Sequence, residues 1–238
     1  MSIINTKTAE TLESLLKTDP QLSTKEVVID VEKYGKPASE ESVAKTKAAL
    51  EENGHEVTVV SNKAEAFELL KKLIPPNASV NNSHSTTLEE IGFVEYLKTS
   101  NTGWKNVHGE IYAETDLVKQ AELKRTKGYT VDYFLSSAPA ITEDGVIIGV
   151  DATGSRIGAW IVTSGKLIIV SGTNKIVKDV LAGKERVEKY AYELESARCR
   201  LVYKTLSSQI TNYLVLKKGN PINPKRVHVI FIKEALGY

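Results

Sequence analysis

The chain has 238 residues, 41% of them hydrophobic and 26% charged, which is typical of a folded globular protein and excludes disorder. Because 31 Lys and Arg face 30 Asp and Glu, the net charge is only +1. We therefore expect no nucleic-acid partner, since such proteins carry a basic excess. The single cysteine, Cys199, excludes an internal disulfide and a cysteine-rich metal site, so no metal centre is expected.

Helical and strand patterns alternate along the first half of the chain. Residues 1–38 are predicted to form an N-terminal helical extension, in which the leucines of residues 12–16 mark a short helix. Residues 27–31 fit either a strand or the start of a helix. Ser39 is a good N-cap and Gly54 a good helix stop. The pattern then predicts helices over 40–53 and 62–74 and strands over 56–60 and 78–80.

The second half continues this alternation with one exception. Asp144-Gly145 stands between two apolar runs and predicts an antiparallel hairpin over 140–150. A later helix is predicted to carry Ile176 and Val177 and to be broken by Gly183. The other predicted elements are helices over 114–127, 156–162 and 185–197 and strands over 131–136, 166–170 and 227–232.

This alternation predicts an α/β fold with three layers and a mostly parallel sheet, interrupted by the antiparallel hairpin. Residues 201–223 fit no element clearly. No repeat or Gly/Ser linker divides the chain, so we expect a single domain over 1–238. Residues 166–170 are apolar throughout and need cover on both faces, so they are predicted to form a central strand. Residues 172–175 would then face solvent at its carboxyl end.

The sequence also suggests a location and an assembly. The N-terminal residues have no apolar stretch like that of a secretory signal, and no apolar run approaches 18 residues. We therefore expect a cytoplasmic protein with no membrane partner. Tyrosine is enriched at protein interfaces. A homodimer is expected from four tyrosines predicted to be exposed, Tyr190, Tyr192, Tyr203 and Tyr213.

Three loops rich in small polar residues follow predicted strands, at residues 81–87, 151–156 and 171–175. Ligands bind at the carboxyl ends of strands in open α/β sheets, and helix N-termini there favour anions. The alternative is that these residues are only helix caps and turns. The candidate ligand-binding residues are Ser83, Thr86, Thr87, Thr153, Gly154, Ser155, Arg156, Gly172, Thr173, Asn174 and Lys175.

Three residues are candidates for acid–base or nucleophilic chemistry. The sequence contains no G-x-G-x-x-G, P-loop or G-x-S-x-G motif, which argues against ordinary dinucleotide-binding proteins, P-loop NTPases and α/β-hydrolases. Glu143 at the hairpin tip or Asp151 could act as a base, with His84 in the first loop as the alternative. Arg156 could pair with one of these carboxylates or face an incoming anion. Cys199 is expected to be a buried, inert thiol.

Four stretches, in this order along the chain, resemble the LUD domain, the lactate-utilisation family, in its single-domain branch. They are residues 85–92, residues 140–156, the strand–turn–helix over 166–178 and the ending over 226–237. The resemblance implies the fold of glucosamine-phosphate deaminase, ribose-phosphate isomerase and the CoA transferases (the NagB/RpiA/CoA-transferase type). Members of that superfamily bind sugar phosphates, CoA esters or folates at the strand ends.

The sequence departs from the family pattern in two places. The first loop, Gly-rich in the family, is Asn-Asn-Ser-His here at residues 81–84, and a family cysteine cluster is reduced to Cys199. Direct electron transfer is therefore not expected, and no cofactor is assigned. We expect an enzyme of organic-acid or sugar-phosphate metabolism that binds a small anionic molecule, with isomerase, hydrolase and transferase chemistry left open. The alternative is a non-catalytic metabolite-binding or accessory protein.

Overall fold

The computed structural model describes residues 11–99 and 102–238, so residues 1–10 of the predicted N-terminal extension lie outside the described residues. The helices are α1 (Leu12–Thr18), α2 (Pro20–Ser23), α3 (Val31–Tyr34), α4 (Glu40–Glu52), α5 (Lys63–Leu73), α6 (Thr86–Glu90), α7 (Phe93–Lys98), α8 (Val107–Ala113), α9 (Leu117–Leu123), α10 (Val180–Arg186) and α11 (Tyr192–Tyr203). π-Helical turns follow α9 (Lys124–Gly128), precede β7 (Ala159–Thr163) and join α10 to α11 (Val187–Ala191).

The strands form two sheets. They are β1 (Glu56–Val60), β2 (Ser79–Asn82), β3 (Lys105–Asn106), β4 (Tyr133–Ser136), β5 (Ala140–Thr142), β6 (Ile147–Asp151), β7 (Lys166–Gly172), β8 (Ile176–Val177), β9 (Asn212–Leu216) and β10 (Val227–Ile232). In the described chain, the larger sheet has the order β1-β10-β7-β4-β2-β3, and all its pairs are parallel. The smaller sheet has the order β8-β5-β6-β9 and contains the antiparallel β5–β6 hairpin. The predicted α/β fold with a parallel sheet and a hairpin is confirmed.

Strand β7 lies in the middle of the larger sheet, between β10 and β4, as its apolar sequence predicts. Leu167 and Ile169 pack into the core on one face, while Ile168 and Val170 pack into the core on the other. All four side chains are fully buried. The sheet is therefore the middle of three layers, and the loop that follows β7 starts at the centre of the molecule.

The described part of the N-terminal extension packs on the last long helix. Leu15, Leu22 and Tyr34 share a buried cluster with Tyr190 and with residues of α11. The guanidinium of Arg200 donates to both carboxylate oxygens of Asp19, at 2.7 and 2.8 Å. Tyr190, predicted to be exposed, is only 1% exposed because this extension covers it. None of the described helices combines the length and apolar character needed to cross a membrane.

Two predictions for the region after β7 are wrong. Ile176 and Val177 do not open a helix, because they pair in parallel with Ile141 and Thr142 as strand β8. Gly183 does not end the helix that follows, because it lies inside α10. Its bare Cα instead allows the helix to approach the hairpin, since a Cβ built there would overlap Cδ1 of Ile148.

We expect Gly183→Ala to destabilise the protein by up to about 2 kcal/mol, because overpacking costs about 1–3 kcal/mol and the higher helix propensity of alanine returns about 1 kcal/mol. Denaturant unfolding of four proteins tests this: wild type, Gly183→Ala, Ile148→Val and the double variant. Valine lacks the overlapping Cδ1, so alanine at position 183 should cost little in the Ile148→Val background. An equal cost in both backgrounds would show that the contact with Ile148 is not the reason for this glycine.

Candidate functional site

The carboxyl ends of three neighbouring parallel strands, β2, β4 and β7, meet at one edge of the larger sheet. The residues that follow them, the loop after β6, helix α11 and Tyr238 together enclose a cavity of about 320 Å³. This volume is at the lower end of the range for small-molecule pockets. Its position agrees with the general rule for ligand sites in α/β sheets.

Lys175 is a buried basic residue at the edge of this cavity. Its side chain lines the cavity, yet the residue is only 2% exposed. The Nζ atom donates to the hydroxyl oxygens of Thr87, at 2.9 Å, and Ser137, at 3.0 Å. No described carboxylate lies within hydrogen-bonding distance of it, so its charge has no direct partner in this part of the chain.

The surroundings of Lys175 disfavour its protonated form. Burial lowers the pKa of the amine well below its ordinary value, and the neighbouring Arg186 and Arg156 lower it further, against the opposing charge of Glu90. Arg186 is itself completely buried and donates to the carbonyl oxygens of Pro139 and Tyr34. Two guanidinium groups, Arg186 and Arg156, thus act on Lys175 together with burial.

The cavity also contains Asp151, whose carboxylate is used by the surrounding chain. It accepts the backbone N–H groups of Gly154, Arg156 and Ile157, at 2.8, 3.1 and 2.9 Å, and the amide of Asn212 at 2.7 Å. Burial raises the pKa of Asp151, but these hydrogen bonds outweigh burial and hold it below its usual value. Asp151 thus shapes the loop after β6, which turns at Gly154 with φ of 76°.

Glu195 is the second carboxylate of the cavity, and it is held by two residues. Arg198 donates to both of its oxygens, at 2.6 and 2.9 Å, and the Tyr238 hydroxyl donates to Oε2 at 2.9 Å. Burial opposes its ionisation, but the hydrogen bonds from Arg198 and the nearby His84 outweigh this and lower the pKa of Glu195 to about 2. Glu195 is therefore a stable anion rather than a base near neutral pH.

Arg156 joins two parts of the cavity wall. Its guanidinium donates to the carbonyl oxygens of Val150, at 2.8 Å, and His84, at 2.9 Å. Neither predicted carboxylate partner accepts from the guanidinium; Asp151 bonds only to the Arg156 backbone. The Nε atom is buried and has no hydrogen-bond partner among the described residues.

His84 lies in the loop after β2 and lines the cavity. Its Nδ1 is 3.4 Å from Oε1 of Glu89, at the start of α6. Its Nε2 is buried without a hydrogen-bond partner in residues 11–99 and 102–238. One ring nitrogen is thus left for a ligand or a proton.

The structure brings most, but not all, of the predicted site residues to this cavity. Lining it are Ser83, His84, Thr86, Asp151, Thr153, Ser155, Arg156 and Lys175. Thr87 lies behind Lys175 and bonds to it. The predicted residues that do not line the cavity are Glu143, Gly154, Gly172, Thr173 and Asn174.

Two expectations about these residues need correction. Glu143 is not available as a base, since it accepts from Ser42 at 2.7 Å and forms an ion pair with Lys45 at 2.8 Å. Residues 172–175 do not face solvent, because the C-terminal residues 234–238 cover them. A Cβ on Gly172 would lie 2.7 Å from the carbonyl oxygen of Glu234, so only glycine allows this close approach.

Several residues of the cavity were not predicted from the sequence. Ser137 follows strand β4 and could have been found by the same strand-end rule as the other loops. Glu195, Cys199 and Tyr203 lie on one face of α11, and nothing in their local sequence indicates which pocket that face meets. Tyr238 lines the cavity because the C-terminal residues fold back over this edge of the sheet, which the sequence does not indicate. In the described ranges, no group of His, Cys, Asp and Glu side chains is arranged to hold a metal ion.

One comparison with known proteins identifies a family. The LUD domain model matches residues 43–232. Among solved structures, the chain is similar to a DUF162 family protein from Deinococcus radiodurans, with 16% identity and a TM-score of 0.49. The match covers 82% of this chain and 99% of that one, and at this TM-score the likeness carries no argument about the site. No curated protein matches the sequence.

Lys175→Met should make the unliganded protein more stable at pH 7, by about 1–3 kcal/mol, because it removes an amine whose pKa burial holds well below that of the unfolded chain. The unfolded chain holds the lysine proton up to about pH 10, so this gain should shrink as the pH rises from 7 towards 10. Denaturant unfolding across this pH range measures the difference. Lys45→Met is the control, since the Lys45 side chain is 63% exposed and its pair contributes at most about 1 kcal/mol. A marked loss of stability at pH 7 would contradict the electrostatic account of Lys175.

Glu195→Gln should destabilise the protein at pH 7 by about 3–5 kcal/mol, because it leaves Arg198 buried without a partner. In the wild type, the depressed pKa of Glu195 contributes stability above pH 4.5, and this is lost as the pH falls towards 2. Acid unfolding curves should therefore lose about 2–3 kcal/mol of pH dependence in Glu195→Gln. Glu193→Gln on the same helix should keep that dependence. Acid curves of the same shape in wild type and Glu195→Gln would refute this role.

Proposed function

This chain belongs to the LUD domain family, and we propose that its cavity binds a small anionic metabolite. The role in organic-acid utilisation that the resemblance implies fits a ligand with a carboxylate group. The proposal concerns the cavity bounded by β2, β4, β7 and α11.

This proposal rests on one observation. Protein groups already satisfy the two carboxylates of the cavity, whereas no described carboxylate pairs with its two basic side chains. Asp151 accepts four hydrogen bonds from the protein, and Glu195 is held by Arg198 and Tyr238. Arg156 and Lys175, in contrast, bond only to uncharged oxygens among the described residues. An anion entering the cavity would therefore meet the positive charge of Arg156, which no described carboxylate accepts, and the amine of Lys175 as a further hydrogen-bond donor.

The size of the cavity narrows the class of ligand. A volume of about 320 Å³ corresponds to roughly ten water molecules at about 30 Å³ each. This suits a short organic acid or a small phosphate ester. A CoA ester or a folate is several times larger, so only one end of such a ligand would fit.

Hydroxyl groups supply the remaining contacts that such a ligand needs. Ser83, Thr86 and Ser137 follow the strand ends, and Thr153 and Ser155 face them from the loop after β6. Hydroxyls both donate and accept hydrogen bonds, so they can bind the oxygens of a hydroxy acid or a phosphate. Specificity would come from these groups, while the cations supply the attraction.

Thermal unfolding with D- and L-lactate, pyruvate, glycerol phosphate and inorganic phosphate tests the proposal. A ligand at 100 times its Kd stabilises by about 2.7 kcal/mol, which corresponds to a rise of roughly 5–10 °C in Tm for a chain of this size. Arg156→Gln should lose most of that rise. The comparison is made between liganded and unliganded samples of each variant, so a lower starting Tm does not affect it.

Arg125→Gln is the matched control, because Arg125 is a surface residue paired with Glu122. It should keep the full ligand-induced rise in Tm. If none of the five anions raises the Tm of the wild type, or if Arg156→Gln responds as the wild type does, the proposal is wrong.

A further inference from the structure

The hydrogen bonds around Lys175 show which form of the amine the site accommodates. The hydroxyl of Thr87 donates to the carbonyl oxygen of Leu236 at 3.4 Å, and the hydroxyl of Ser137 donates to Thr87 Oγ1 at 3.3 Å. Each hydroxyl thus has another acceptor for its proton, and Nζ of Lys175 can donate to both oxygens.

Two donated bonds match a neutral amine, which has two N–H groups and one lone pair. A protonated amine has three N–H groups, and the described chain offers Nζ no third acceptor within hydrogen-bonding distance. The described residues therefore match the two donors of the neutral form, and none of them uses its lone pair. An unused lone pair on nitrogen is a nucleophile.

The charged side chains that face Lys175 from the neighbouring elements also favour its neutral form. Arg186 on α10 and Arg156 after β6 repel a second positive charge, and Glu90 at the end of α6 opposes them. Glu90 in turn accepts the backbone N–H of Gly237 at 2.7 Å, which satisfies one of its oxygens. With burial added, the pKa of Lys175 lies well below its ordinary value.

We propose that Lys175 is a nucleophile that forms a Schiff base with a small aldehyde or ketone carrying a carboxylate or phosphate group. The inference that the ligand carries an anionic group rests on the proposed function, in which the positive charge of Arg156 binds that group. The inference that the ligand carries an aldehyde or ketone group rests on the free lone pair of the Lys175 amine, since Lys175 lines the cavity. Lysine amines desolvated in this way are the usual nucleophiles toward carbonyl carbons in proteins.

The reaction balances without a further reagent. The nitrogen lone pair forms a bond to the carbonyl carbon, and the carbonyl oxygen takes up the proton that the nitrogen releases. The oxygen then leaves as water with the second amine proton while the C=N double bond forms, and nothing is oxidised or reduced. Ser137 and Thr87, which bond to Nζ, are the groups in reach to move these protons. The C=N bond would activate the adjacent carbon for bond cleavage or isomerisation.

Reductive trapping on the wild-type protein tests this inference without a variant. Glyoxylate, a carbonyl compound with a carboxylate, is added with sodium cyanoborohydride at pH 7, and the modified lysines are identified by peptide mass spectrometry. Lys175 should react fastest, because at pH 7 the neutral fraction of an amine rises about tenfold for each unit by which its pKa falls from the ordinary value towards 7. The ratio of its trapping rate to that of exposed lysines should fall as the pH rises towards 10, because exposed lysines also lose their protons there.

Lys124 is the internal control in the same digest. Burial lowers its pKa too, but it bonds to Gln120 on α9 and does not line the cavity. Lys175 should be trapped faster than Lys124, and oxalate, an anion without an aldehyde or ketone carbonyl, should slow trapping at Lys175 alone.

The outcomes separate the two proposals. A fast, oxalate-sensitive adduct on Lys175 supports both. If glyoxylate and oxalate raise the Tm but Lys175 reacts no faster than exposed lysines, the Schiff base is excluded and anion binding stands. If neither compound raises the Tm and Lys175 is not trapped, this inference fails, and the proposed function fails for small carboxylates.

Discussion

A lysine amine buried without a carboxylate is the constraint on which the rest of the site depends. Lys175 lies just beyond the central strand β7, so parallel neighbours surround it and the C-terminal residues cover it. Burying such a group costs free energy, and its bonds to two hydroxyls offset part of that cost. The remaining cost is the disfavoured protonation of the amine, which the lowered pKa of Lys175 expresses.

The outer wall of the cavity depends on the two ends of the chain. The Arg200–Asp19 ion pair and the cluster around Tyr190 hold α11 against the N-terminal extension. Tyr238, close to the C-terminus, reaches Glu195 on the same helix. The family match spans only residues 43–232, so both of these supports lie outside it. Among the residues that line the cavity, Tyr238 lies outside the matched LUD domain region, while the N-terminal extension supports α11 from behind.

Much of the candidate site could be predicted from the strand-end rule, because parallel strands necessarily bring their following loops together. His84 and Lys175 were found in this way, whereas Asp151 and Arg156 follow β6, whose neighbours are antiparallel, so the packing of the two sheets brings them to the cavity. The roles of these residues could not be predicted: whether a polar residue binds a ligand or caps the chain depends on partners that are distant in sequence. Asp151 proves to organise its own loop, and Glu143 is bound by Lys45 across 98 positions. Glu195 was missed because helix periodicity does not show what a helix faces.

The sequence by itself determined the α/β alternation, the hairpin at Asp144-Gly145 and the central position of β7, because these follow from local propensity and from the need to bury apolar strands. Only the tertiary structure decided that Gly183 is a packing contact rather than a helix stop. It also decided that residues 172–175 are covered rather than exposed, and that Lys175 has two hydroxyls and no carboxylate beside it. Each of these depends on residues that the fold brings together from far along the chain, and no local pattern encodes such neighbours.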